Sequence, residues 1–162
     1  MSGPRPAARF GQSSSAVVIA QRLAPLRPRR EHRAQRTALT AYTAFRERHY
    51  EPYLQYAALR IGRRGAAEKV VTAVFTELAV SWTAVLGSAG PAAVAWRILH
   101  DHVDRAVGCD PTAVAAVQDM QTLHDDACFL HEEMHLSRDR IAEVLGIRPA
   151  DLPSLPSHSP EG

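Results

Sequence analysis

The chain has 162 residues, 46% of them apolar, which is enough for one ordinary domain or two small helical lobes. No run approaches the roughly 18 consecutive apolar residues of a membrane span, and Ala16–Ala20 is too short for a secretory segment. Cys109 and Cys128 form no CxxC pair and read as ordinary reduced cysteines, so the expectation is a cytoplasmic protein without a membrane partner.

Residues 1–40 carry eight arginines against Glu31, a net +7. Residues 41–107 carry +2, and residues 108–162, with three basic and ten acidic groups, carry −7. A polyanion is drawn to the front of such a chain and repelled from the back. The first 32 residues are rich in Pro, Ser, Arg and Ala without any period. They are expected to form a disordered basic arm, either a solvated tail or a non-specific contact to nucleic-acid phosphates.

From about Arg33 the pattern turns helical. Leu39, Tyr42 and Phe45, then Tyr50, Tyr53, Leu54 and Ala57, recur at three- and four-residue steps. Pro52 is expected in the first turn of a second helix, where its missing N–H costs nothing. After Gly62–Gly65 a helix is predicted over Ala66–Leu86. Val70, Val71, Val74, Phe75, Leu78 and Trp82 make its apolar stripe, with Glu68, Thr72, Thr76 and Glu77 largely off it. Pro91 opens another helix through Val94, Ile98, Leu99 and Val103.

Gly108-Cys109-Asp110-Pro111 reads as a hinge. Beyond it come a helix from Thr112 to about Leu123 and one through Ala127, Leu130 and Met134. A third runs from Ser137, an N-cap, to Leu145, with Gly146 as its stop. Four prolines between 149 and 160 then forbid another helix, since each interior proline costs about 3 kcal/mol. The expected fold is all-α, with two small lobes at 33–107 and 123–147 joined by 108–122, a disordered N-terminal arm and a disordered tail over 148–162.

His131-Glu132-Glu133-Met134-His135 satisfies H-E-x-x-H. On a helix, imidazoles four apart share a face and grip zinc, with Glu132 as general base. The longer zinc-protease pattern fails, because Arg138 stands where glycine is needed and Ile141 where the third histidine is needed. A zinc hydrolase built on His131, Glu132 and His135 is therefore a minor alternative to a solvated helical face. No P-loop, GxGxxG, GxSxG or CxxC…CxxC pattern occurs, and neither enzymatic activity nor a cofactor or metal site is expected.

A distributed pattern carries more. Phe45…His49-Tyr50…Leu54…Tyr56-Ala57…Arg60-Ile61-Gly62, then Ala67-Glu68-Lys69-Val70-Val71…Val74-Phe75…Leu78…Trp82, then Ala95-Trp96…Ile98-Leu99…Val103-Asp104 resembles region 2 of the sigma-70 family, the extracytoplasmic-function type in particular. Ala127-Cys128-Phe129-Leu130…Leu136-Ser137…Ile141-Ala142-Glu143-Val144-Leu145-Gly146-Ile147 is similar to the start of region 4. The resemblance covers about residues 38–107 and 123–147. It implies a transcription initiation factor whose Ala66–Leu86 helix docks on core RNA polymerase through Glu68, Lys69, Thr72 and Glu77. It further implies that Arg97, His102 and Arg105 on the next helix face −10 promoter DNA.

Three departures follow. Lys69 replaces the family's acid after Glu68, a charge reversal at an interface position. Val85–Gly90 lacks the basic and aromatic residues that capture unstacked bases. The recognition helix, which reads base edges in the major groove, is replaced by Arg148-Pro149-Ala150-Asp151 and a proline-rich tail. The expectation is a reduced or degenerate sigma-like factor. The alternative is a sigma-derived protein that binds an anti-sigma factor or other regulator without recognising a promoter.

Overall fold

The computed structural model describes residues 26–109 and 120–156. They form five α-helices: α1 (Leu26–Ile61), α2 (Arg64–Leu86), α3 (Pro91–Val107), α4 (Met120–Glu132) and α5 (Arg138–Leu145). A short 3₁₀ turn, Pro149–Asp151, follows, and no strand occurs among the described residues. The fold is all-α, as the periodicities predict. The chain divides into two units, residues 1–39 and residues 40–162.

The described part of the first unit is the opening of α1. The described part of this helix, Leu26–Ile61, already includes residues ahead of the expected start near Arg33. Arg, Glu, Gln and Ala are frequent in the stretch and are strong helix formers. Arg29, Arg30 and Arg33 are exposed, and Thr37 Oγ1 donates to the Arg33 carbonyl at 3.0 Å. The remainder of the expected basic arm, residues 1–25, lies outside the described residues.

In the second unit α1 continues through Pro52 without a break. The expectation of two helices fails here for a tertiary reason. Proline cannot donate to the carbonyl four residues back, which is that of Arg48. Arg140 of α5 donates its guanidinium to that same carbonyl. A side chain from a distant helix thus satisfies the acceptor that Pro52 leaves open, and the local cost of the proline is partly offset.

The core is an aromatic ladder along α1 read by α2 and α3. Tyr42 and Phe45 meet Trp82 at 5.5 and 5.2 Å between ring centroids. Tyr53 meets Phe75 at 5.7 Å and Trp96 at 5.8 Å, and Tyr56 lies 4.7 Å from Trp96. Each such pair adds roughly 0.5–1.5 kcal/mol beyond its buried area. The Tyr42 hydroxyl donates to the Phe75 carbonyl at 2.8 Å. Val71, Val74, Leu78, Leu99 and Val103 fill the space between the rings and are fully buried. Val70, expected in this stripe, is half-exposed.

Helices α4 and α5 do not stand apart as a separate lobe. Both lie in the unit that begins at Thr40, with α5 packed on α3 and on α4. Tyr56 reaches Phe129 of α4 at 5.4 Å, and Ala127, Leu130, Ile141, Val144 and Leu145 are buried. Ser137 caps α5, its hydroxyl accepting the Arg140 N–H at 3.3 Å, and Gly146 ends it at φ 70°, both as the sequence predicts. The Thr112–Leu123 helix falls mostly outside the described residues; its last four residues belong to α4.

Residues 148–156, expected to be disordered, fold back on α5. Leu152 is buried. Arg138 donates to the Leu152 and Pro153 carbonyls at 3.4 Å, and Arg148 pairs with Asp151 at 2.6 Å. One apolar anchor and two guanidinium contacts suffice where composition alone argues for a free tail. Residues 157–162 lie outside the described residues.

Candidate interaction surface on α2 and α3

The residues singled out from the sequence fall on two neighbouring helices. Because α2 buries Ala67, Val71, Val74, Phe75, Leu78, Trp82 and Val85, a 100° step per residue turns positions 68, 69, 72 and 76 outward. Glu68, Lys69, Thr72 and Glu77 are all exposed. Glu68 Oε1 lies 3.3 Å from Arg64 Nε, one turn back. Lys69 has no ion pair or hydrogen bond to another described residue.

The hydroxyls on this face are already used. Thr72 donates to the Glu68 carbonyl at 2.7 Å and Thr76 to the Thr72 carbonyl at 2.8 Å. Ser81 donates to the Glu77 carbonyl at 2.9 Å. A hydroxyl bonded into its own helix turns the rest of its side chain outward. The face is consequently less polar than its composition suggests, and Lys69, Thr72, Ala73, Thr76, Glu77 and Val80 line a shallow open concavity along it.

On α3, Arg97 and Arg105 are exposed, with half-buried Asp101 midway between them at four-residue spacing. The outer face of α3 is therefore mixed in charge. His102 turns towards α2, its Nε2 lying 2.8 Å from Glu77 Oε2. The structure thus joins one expected polymerase-facing residue to one expected DNA-facing residue, while Arg97 and Arg105 stay apart from both.

The H-E-x-x-H geometry is not formed. Helix α4 ends at Glu132, and His135 takes the left-handed conformation at φ 54°, so the two histidines do not share a helical face. His131 Nδ1 lies 3.3 Å from the Leu136 carbonyl oxygen. Among the described residues no three His, Cys, Asp or Glu side chains converge as metal ligands.

The sequence reading missed one cluster. Asp126 of α4 is buried and accepts the Trp96 indole N–H at 2.9 Å. Its carboxylate also lies 2.9 Å from His100 Nε2, which is in turn 2.9 Å from the Tyr56 hydroxyl. Asp104 flanks His100 at 3.8 Å and Arg60 at 3.9 Å. Burial pulls the His100 pKa down, but the Asp126 hydrogen bond and charge, helped by Asp104, outweigh it and leave it raised. Trp96, His100 and Asp104, spaced four apart on one face of α3, are the signal by which the sequence could have revealed this junction. The cleft beside it, between α3, α4 and α5, is about 210 Å³, below the roughly 300 Å³ at which small-molecule sites begin.

Comparison of the chain with family models, with curated proteins and with solved structures finds no match.

Proposed function

We propose that this protein is a reduced sigma-70-like transcription factor that binds core RNA polymerase through the exposed face of α2. One observation carries the reading. The apolar positions of the family pattern on α2, Val71, Val74, Phe75, Leu78 and Trp82, form the core, while Lys69, Thr72 and Glu77 line one concavity on its open side and Glu68 is exposed at the flank. A docking helix needs that division: a buried seam that fixes it and a solvent-facing row that meets the partner. The exposed arginines Arg97 and Arg105 support a contact to −10 promoter DNA, limited by Asp101 between them.

Recognition of a −35 element does not belong to this reading. A 3₁₀ turn of three residues follows Gly146 where the family has its recognition helix. The arginines of the rear helices are also engaged within the protein. That observation favours the second reading, a sigma-derived protein that meets a regulatory protein without recognising a promoter.

In vitro transcription with core polymerase separates the two. Promoter-dependent initiation above the core-only level supports the first reading. Polymerase binding without initiation leaves the second, and no polymerase association at low salt removes the first.

A further inference from the structure

Besides the seam it buries, α2 carries a second one. Ala66, Val70, Ala73, Glu77, Val80 and Ala84 recur at alternating four- and three-residue steps, the spacing at which helices pair side by side. All six are at least partly exposed, Val80 by 88%. Glu77 is the one charge among them. The flanking Thr72 and Thr76 hydroxyls bond into the helix backbone and do not make the seam polar. By length and composition α2 would qualify to cross a membrane, and only 33% of the qualifying window is buried within the protein. Val80 and half-exposed Val70 give this seam apolar surface outside the core, and small residues such as Ala66, Ala73 and Ala84 let a second helix approach.

The charges decide which partner. Lys69 and Glu77 stand four residues on either side of Ala73, about 6 Å along the axis in each direction. If two copies of α2 run antiparallel about a two-fold axis at Ala73, Lys69 of each copy lies level with Glu77 of the other. The same register sets Val80 opposite Ala66, large against small. A parallel pairing would instead set like charges together. A patch complementary to itself under a two-fold rotation is the requirement for a symmetric dimer. His102 engages Oε2 of Glu77, which leaves Oε1 for the lysine.

We propose that α2 pairs antiparallel with α2 of a second copy of this chain, across a two-fold axis at Ala73. The pairing is independent of the polymerase reading. It uses the same face, so a paired chain has Lys69 and Thr72 covered and is not available to polymerase.

Sedimentation equilibrium of the full chain over a wide concentration range tests this. The expected result is a monomer–dimer equilibrium, weakened about tenfold or more by Lys69→Glu or by Glu77→Lys, since each sets like charges against each other. Val80→Glu is expected to abolish the dimer. The double variant Lys69→Glu/Glu77→Lys restores the opposite-charge pairing and should return to within about threefold of the original affinity. All these positions are solvent-facing, so unchanged helicity by circular dichroism is expected throughout. A chain that is monomeric at every concentration overturns the proposal. So does a dimer indifferent to these substitutions, or a double variant no better than the singles.

Discussion

The front and rear of the second unit use their charges in opposite ways. Residues 108–162 contain only three basic groups, and each is engaged within the protein. Arg138 holds the Leu152 and Pro153 carbonyls, Arg140 the Arg48 carbonyl and Glu143, and Arg148 Asp151. On α2 and α3, by contrast, Lys69, Arg97 and Arg105 are exposed and carry no ion pair or hydrogen bond to another described residue. A charge already paired inside the molecule must break that pair before it can serve a partner. The rear helices are therefore built to hold the structure, and the front helices are the ones able to meet something else.

Substitutions in the rear should accordingly show themselves in stability. Gly146→Ala is expected to do most. The position is left-handed, and an added Cβ would fall 2.1 Å from the Ala93 backbone nitrogen, so α5 must move off α3. Strain and overpacking together predict a loss of about 2–5 kcal/mol in urea denaturation. A variant as stable as the parent would show that α5 is not seated on α3.

Asp126→Ala comes next. It leaves the Trp96 indole N–H and His100 without their acceptor at a buried junction, at a cost of about 2–4 kcal/mol. Trp96 fluorescence should change with it. Its companion His100 gives a pH signature. A histidine whose folded pKa is raised contributes stability that is complete below its ordinary value of 6.5. That contribution is lost as pH rises through the raised folded value. Unfolding free energy should therefore decline as pH rises above 6.5, and His100→Gln should flatten that decline. A steeper decline in the variant would refute the assignment.

The smallest rear effect belongs to Glu143. Hydrogen bonding from Arg48, at 2.5 and 2.9 Å, and from Arg140 holds its carboxyl down at about 2 despite some burial. A depressed carboxylate stabilises above its ordinary value of 4.5 and loses that contribution as pH falls towards 2. Glu143 is 35% exposed, so screening limits the effect to about 1 kcal/mol or less. Glu143→Gln should lower stability at neutral pH by that amount, about 1 kcal/mol or less, and remove that part of the decline on the acid side.

Much of the architecture was legible because local rules governed it. Ser137 and Gly146 bound α5 where capping chemistry puts them, Pro91 opens α3, and the Val71–Trp82 spacing marks the buried face of α2. The failures share one cause. Pro52 stops a helix by local rules, yet α1 passes through it because Arg140, 92 residues away, bonds the vacated carbonyl of Arg48. Val70 has the chemistry of a core residue but sits on the second seam. The helix expected through Met134 ends at Glu132, between His131 and His135. In each case a contact or an ending set by the fold decided the outcome, and no window of sequence contains it. The exposed candidate residues were easier to find, because an amphipathic pattern tells which positions face outward and leaves open only what they meet.

The central claim is that the outer face of α2 meets core RNA polymerase. Binding of the full chain to immobilised core polymerase at low salt tests it most directly, with Ala73→Arg on that face and Arg148→Ala at the rear as paired variants. The account predicts measurable binding, weakened about tenfold or more by Ala73→Arg and untouched by Arg148→Ala. No association at low salt, or binding indifferent to Ala73→Arg, would contradict it.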